Sequence, residues 1–325
     1  MKEECHQLLE VRDLKTYFHT KKGEAKAVDG VSFGLNTGEA LGLVGESGCG
    51  KTTSALSICQ LLPQNGYIAG GEIFVDGVDY SKLDKKEILP HRWKDVSMIF
   101  QGAMNAFNPV KTVGWQIAEA TMLHDGLDKK DAMKRAGDLL DLVEVPRDRV
   151  KCYPHEFSGG MKQRAMIAMA LACNPKLVIG DEPTTALDVM VQAQILNLLE
   201  RLRREIHMSM ILITHDLSIL GETCDKIAVM YAGKIAEIGN VDDIFRRPEH
   251  PYTKKLISCF PDISKRKEVP DGIPGFPPNL IDPPKGCRFA PRCEFACEKC
   301  LEVDPPILKL SDSHSVACHL VEVAK

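Results

Sequence analysis

Residues 45–53 read Gly-Glu-Ser-Gly-Cys-Gly-Lys-Thr-Thr, the spacing G-x-x-x-x-G-K-[ST]. Gly45, Gly48 and Gly50 let successive backbone N–H groups turn inward around phosphate oxygens, with Glu46, Ser47 and Cys49 carried between them. Lys51 can reach terminal phosphates, and the Thr52 hydroxyl can ligate Mg²⁺. The apolar run Ala40-Leu41-Gly42-Leu43-Val44 before the loop suits a strand, and Thr53-Ser54-Ala55-Leu56-Ser57-Ile58 after it suits a helix. The N-terminus of such a helix also favours anions. The pattern predicts a site for a nucleoside triphosphate with magnesium. Cys49, inside this loop and near the helix start, is expected to favour the thiolate, so alkylation should inhibit and nucleotide should protect.

Two further groups suit the same chemistry. Leu177-Val178-Ile179-Gly180-Asp181-Glu182 is an apolar strand ending in carboxylates. Asp181 stands where a phosphate-loop enzyme places a magnesium-holding Asp, and Glu182 can polarise an attacking water as general base. An acidic turn after a strand is the plain alternative, and the phosphate loop upstream favours the chemical reading. Ser158-Gly159-Gly160 opens a second helical stretch and offers a hydroxyl and N–H groups at a positive helix end. One chain does not need two cradles for one nucleotide, so the second is expected to complete the site of a partner molecule.

The elements that must position these groups follow from patterning. Leu8–Val11 and Ala27–Phe33 read as strands, and residues 72–80 as a hairpin turning at Asp76-Gly77. Together they predict a small antiparallel sheet beside the phosphate-loop core. Helical spacing runs through 132–143, stopped by Pro146, then through about 160–172 and 189–205, with strands at 177–179 and 210–213. Such strand–helix alternation predicts a buried parallel sheet. At 325 residues, 44% hydrophobic and net charge −4, the chain can bury a large core and is not a basic nucleic-acid binder. No apolar run reaches the 18 or more residues of a membrane span, and the N-terminus lacks a signal-peptide core. A cytosolic protein, able to dock on a membrane partner, is expected.

The order of phosphate loop, Ser-Gly-Gly, Asp-Glu and late His resembles the ATP-binding subunits of ABC transporters, over essentially the whole chain. It is most similar to the dipeptide/oligopeptide import ATPases, a family that includes some nickel and sugar importers. The phrases that carry the resemblance are Val44–Lys51, Ile99-Phe100-Gln101, Phe157-Ser158-Gly159-Gly160-Met161, Asp181-Glu182-Pro183-Thr184-Thr185-Ala186-Leu187-Asp188-Val189 and Ile213-Thr214-His215-Asp216-Leu217. The resemblance implies an α/β phosphate-loop ATPase with a mixed β core, an antiparallel β subdomain and a helical subdomain near 102–175. It further implies that Phe18 stacks on adenine, with Tyr17 as the neighbouring candidate. Gln101 would meet Mg²⁺ and the attacking water, Asp188 would communicate across an ATPase dimer, and His215 would contact the terminal phosphate. Met161 and Gly180 depart from the commonest family residues without removing a catalytic group.

The C-terminus differs in character. Eight of the nineteen prolines fall within 261–291, which excludes a regular helix or central strand there. Five of the twelve cysteines, 287, 293, 297, 300 and 318, crowd the last 40 residues. An ATPase domain over 1–258 and a proline-rich linker with a cysteine module over 259–325 are expected. Cys287, Cys293, Cys300 and Cys318, spaced C-x5-C-x6-C-x17-C, resemble the peptide-importer module that in some members holds a [4Fe–4S] cluster. Cys297-Glu298-Lys299-Cys300 forms C-x-x-C and keeps zinc as the alternative. The implied partners are a second, paralogous ATPase subunit, two membrane permeases and an extracytoplasmic solute-binding protein, with this chain peripheral on the cytoplasmic face of the membrane. The alternatives are a soluble ABC ATPase of DNA repair or translation, and a metal-cluster regulator that binds ATP.

Overall fold

The computed structural model describes residues 6–102, 106–185, 187–259 and 272–321. The start of the proline-rich stretch and Ala186 of the acidic motif lie outside them. The chain begins with strands β1 Gln7–Thr20, β2 Gly23–Asn36 and β3 Ala40–Val44, then helix α1 Lys51–Ile58. The hairpin β4 Gly66–Val75 and β5 Val78–Asp79 leads to β6 Val96–Ile99, followed by the helices α2 Val113–His124, α3 Lys129–Leu142 and α4 Gly159–Ala170. Next come β7 Leu177–Asp181, α5 Val189–Glu205, β8 Ser209–Ile213 and α6 Leu217–Thr223. The C-terminal part contains β9 Lys226–Tyr231, β10 Lys234–Asn240, α7 Val241–Arg246, α8 Pro251–Ser258, α9 Glu298–Glu302, β11 Leu308–Lys309 and β12 Ser315–Val316. Among the described residues no helix is long and apolar enough to cross a membrane.

The chain folds as two units. One comprises the residues up to Leu9, then Leu35–Glu39 and Phe74–Ile213. In it β6 pairs with β7 and β7 with β8, both in parallel, as strand–helix alternation predicts. The neighbouring α5 is set by its own sequence. Asp188 caps it, accepting from the Val191 N–H at 2.9 Å, and Ile195, Leu198, Leu199 and Leu202 bury one face at i, i+3, i+4 and i+7. Arg203 and Arg204 lie in its last turn, where the helix dipole favours cations. Asp128 caps α3 in the same way, through the Asp131 N–H. The predicted turn at Asp76-Gly77 has both residues at positive φ, 47° and 79°. That is the twist a two-residue hairpin needs.

The other unit comprises Glu10–Gly34, Ala40–Ile73 and Thr214–Lys325. Here β3 runs parallel to β9, β9 antiparallel to β10, and β12 antiparallel to both β10 and β11. Every residue of β3 is buried, so the strand that enters the phosphate loop is covered on both faces. The described part of the tail belongs to this unit. Glu237, fully buried on β10, accepts from His314 Nε2 at 2.7 Å and from the backbone N–H groups of Glu249 and His250 at 2.8 and 3.0 Å. Three donors on one carboxylate are what a buried charge requires. Phe289 packs against Tyr231, Tyr252 and His250, with ring centroids 5.2 to 5.9 Å apart. Burial pushes His250 down to about 4, and its Nδ1 accepts from the Tyr252 N–H at 3.0 Å, an acceptor role open only to the neutral ring.

Candidate functional site

The phosphate loop is held open by its glycines. Gly50 caps α1 at φ 107°, and a β-carbon there would lie 2.4 Å from the Ala27 carbonyl oxygen. At Gly45, φ 150°, it would lie 2.1 Å from the Met230 carbonyl oxygen. Only glycine satisfies both the conformation and the approach. Lys51 is buried, and its ammonium donates to the carbonyls of Gly45 at 2.7 Å and Glu46 at 3.1 Å. Ser47 and Gly48 are exposed at the tip, so the cradle faces solvent. Cys49 reverses the expectation drawn for it. Its sulfur is buried, and burial pushes the thiol up more strongly than the Lys51 ammonium pulls it down. The loop therefore carries a protonated, sheltered thiol, not an activated thiolate.

Two other expected residues lie in this unit. The Thr214 N–H donates to the Leu43 carbonyl at 3.4 Å, which tethers the exposed His215 beside the strand that feeds the loop. Phe18 is half-buried with its ring against Gly66, where a β-carbon would come within 2.7 Å. Tyr17, the neighbouring ring, is committed elsewhere: its hydroxyl donates to Asp29 at 2.8 Å, and burial together with that carboxylate pushes it up to about 12.

The acidic groups lie in the first unit. Asp181 ends β7 and is buried. Glu182 follows at φ 46°, a left-handed conformation that a glutamate adopts at a cost. Its N–H donates to the Ile213 carbonyl at 2.9 Å, which fixes the kink. One carboxylate oxygen accepts from Gln101 Nε2 at 2.7 Å and from the Thr185 hydroxyl at 2.9 Å. The structure thus brings Gln101 and Glu182, 81 positions apart, into direct contact. Such a pair can orient a water and take its proton.

In the same unit Ser158, Gly159 and Gly160 share with Asp188 a cavity of about 470 Å³. Ser158 caps α4, accepting from the Met161 N–H at 3.3 Å, which leaves its own proton to donate. A β-carbon on Gly160 would stand 3.0 Å from Val191 of α5, so the small residue lets the two helices approach. Arg164 and Glu144 complete the wall and bond to each other at 2.6 Å. Burial raises Glu144, but Arg164 and Arg201 together hold it below the usual carboxylate range.

The tail thiols crowd one another. Cys287 is pushed up to about 11, first by burial and then by Cys300 and Cys318. Cys318 is raised by burial and by Cys293 and Cys300. The Ala290 N–H donates to the Cys287 carbonyl at 3.0 Å, and the Cys287 N–H to the Cys300 carbonyl at 2.8 Å. The sulfurs of Cys297 and Cys300 lie 3.4 Å apart. Among the described residues no group of three or more His, Cys, Asp or Glu is close enough to hold a metal ion. Four cysteine thiols are the donor type that an iron–sulfur cluster takes.

Sequence reasoning missed Tyr252 and Arg292. The Tyr252 hydroxyl accepts from the Glu46 N–H at 3.0 Å, and Arg292 pairs with the Glu46 carboxylate at 2.7 and 2.9 Å. A separation of 206 and 246 positions leaves no local pattern to find them by.

Residues 28–185 match the family described as ABC transporter, and residues 236–300 match the family described as oligopeptide/dipeptide transporter, C-terminal region. The chain is 49% identical to the oligopeptide transport ATP-binding protein OppD of Bacillus subtilis, over 97% of this chain and 89% of that protein. It is 46% identical to OppD of Escherichia coli over 97% and 94%, and 47% identical to the dipeptide transport ATP-binding protein DppD of Bacillus subtilis over 97% and 95%. Among solved structures, a dimeric post-hydrolysis ATP-binding cassette bound to ADP and Pi superimposes with a TM-score of 0.65 at 24% identity, over 72% of this chain and 99% of that one. That likeness is one of fold.

Proposed function

The chain belongs to the ABC transporter family of ATP-binding subunits, in its oligopeptide/dipeptide group, and from that premise we propose how its residues divide the work. It is an ATPase that energises peptide import. The observation that carries this reading is the match of its C-terminal part to the peptide-transporter region, downstream of an intact phosphate loop. The alternatives in DNA repair, translation or regulation lack any such observation.

Gly45, Glu46, Ser47, Gly48, Cys49, Gly50, Lys51, Thr52 and Thr53 form the phosphate cradle, and Phe18 stacks on the adenine. Thr52, Gln101 and Asp181 hold Mg²⁺, which neutralises charge on the phosphates when bound. Glu182, oriented by Gln101 and Thr185, takes the proton of the attacking water, and His215 contacts the terminal phosphate. Ser158, Gly159, Gly160 and Asp188 serve the nucleotide of a second, paralogous ATPase subunit. Closure of that pair drives two permeases, fed by a solute-binding protein, at the cytoplasmic face of the membrane. Residues 1–258 carry this machinery and 259–325 form the appended region.

The test of substrate class is uptake. Proteoliposomes holding the permeases, both ATPase subunits and the binding protein accumulate labelled di- or oligopeptide only with internal ATP. Accumulation of nickel or an oligosaccharide in place of peptide would overturn the peptide assignment.

For the tail, the finer reading is that Cys287, Cys293, Cys300 and Cys318 hold a [4Fe–4S] cluster, supported by four cysteines of the donor type such a cluster takes, spaced C-x5-C-x6-C-x17-C. Anaerobically purified protein is expected to contain about four iron atoms per chain and to absorb in the visible. One zinc per chain without iron would replace the cluster by a structural Cys₄ site. Neither metal would remove both.

A further inference from the structure

Glu46 is the first variable residue of the phosphate loop, and every polar group it has is engaged. Its N–H donates to the Tyr252 hydroxyl at 3.0 Å. Its carbonyl accepts from Lys51 Nζ at 3.1 Å and from the Cys49 N–H at 3.2 Å. Its carboxylate is gripped by both terminal nitrogens of Arg292, at 2.7 and 2.9 Å. Arg292 belongs to the cysteine-bearing tail, and its side chain is only 5% exposed. All five of its N–H groups have acceptors. Nε donates to the Pro274 carbonyl at 2.7 Å, one terminal nitrogen also to the Tyr231 hydroxyl at 3.1 Å, and the other also to the Ile273 carbonyl at 3.2 Å.

A planar fork with every donor used has one orientation, and a flexible ammonium with three donors cannot reproduce it. The acceptors come from three places: the phosphate loop, the end of β9 and the chain just before the tail. The same corner is closed from below by Tyr231 and Tyr252, ring centroids 4.7 Å apart, with the tail residue Phe289 against both. The loop's remaining N–H groups must converge on phosphate oxygens, and a peptide clamped at one end points them before ligand arrives.

We propose that Arg292 is a positioning residue of the nucleotide site: from the C-terminal tail it fixes Glu46 and so holds the phosphate loop in its binding conformation. This rests on the reading of residues 45–53 as the ATP cradle. It makes the tail a working part of the nucleotide site, so ATP affinity depends on how the tail is seated.

The test uses full-length chain in the assembled transporter, with KM for MgATP and kcat measured separately, and binding of trinitrophenyl-ATP to the isolated full chain. Arg292→Gln and Arg292→Lys are each expected to raise KM and the Kd for the analogue roughly tenfold, the scale of one lost charge-assisted bond, with kcat within about twofold. Glu46→Gln is expected to do the same, and the double variant Glu46→Gln/Arg292→Gln to be no worse than the worse single one. Lys234→Gln, which breaks the exposed ion pair from β10 to Asp304 in the tail, should leave KM unchanged. Affinity within twofold of wild type in both Arg292 variants, or in Glu46→Gln if those do not fold, would overturn the proposal. Strictly additive losses in the double variant would overturn it too. A wild-type chain that binds no ATP analogue would overturn the nucleotide reading itself, a result distinct from either.

Discussion

Replacing Glu182 by Gln in the assembled transporter lowers ATP turnover by about 10²–10⁴-fold while ATP binding persists, the range that loss of a general base produces. The local geometry makes the case. Glu182 is held in a left-handed conformation by a backbone bond to Ile213, and its carboxylate is bonded by Gln101 and Thr185. A glutamine can keep the conformation and the bond from Thr185, but it cannot accept the proton of water. The loss therefore falls on kcat with KM for ATP little changed. Turnover near that of wild type would remove Glu182 from the base role.

Gly45→Ala abolishes nucleotide binding and costs about 2–5 kcal/mol of stability, the sum expected for a residue forced to positive φ and into an overpacked site. The added methyl would sit 2.1 Å from the Met230 carbonyl oxygen and 2.8 Å from the Cys49 sulfur, so strand β9 or the loop must move. Gly48→Ala is the contrast. Its φ is also positive, 78°, but nothing lies within 4 Å of the new methyl, so only the conformational part of the cost remains. Urea unfolding and ATP-analogue titration on the two variants check this. Equal behaviour of the two would show that the approach to Met230 does not govern the loop.

Much of this was legible in the chain because the relevant physics is local. The strand at 40–44, the helix at 189–205 and the turn at 76–77 each announce themselves within a few residues, through burial period, an Asp cap or a φ preference. The phosphate loop and the Asp-Glu pair are likewise contiguous motifs. The state of Cys49 was not legible. A position near a helix N-terminus argues for a thiolate, but burial beneath the loop outweighs it, and burial is a property of what packs from elsewhere. The tail shows the same limit. Its prolines and cysteines mark a change of character, but nothing in them shows that Glu237 meets His314 or that Phe289 packs among Tyr231 and Tyr252.

The amino-acid sequence by itself determined the chemistry on offer: a glycine-lined cradle with Lys51, a carboxylate pair at a strand end, and a second Ser-Gly-Gly helix start at Ser158. Residue type and spacing suffice there because each group is set by its immediate neighbours along the chain. Only the tertiary structure decided which of these groups touch and what braces them. Gln101 meets Glu182, and Arg292 and Tyr252 close on Glu46, across 81, 246 and 206 positions of chain. Contacts at such separations are specified by the packing of the whole fold, which leaves no periodic trace in the sequence around either partner.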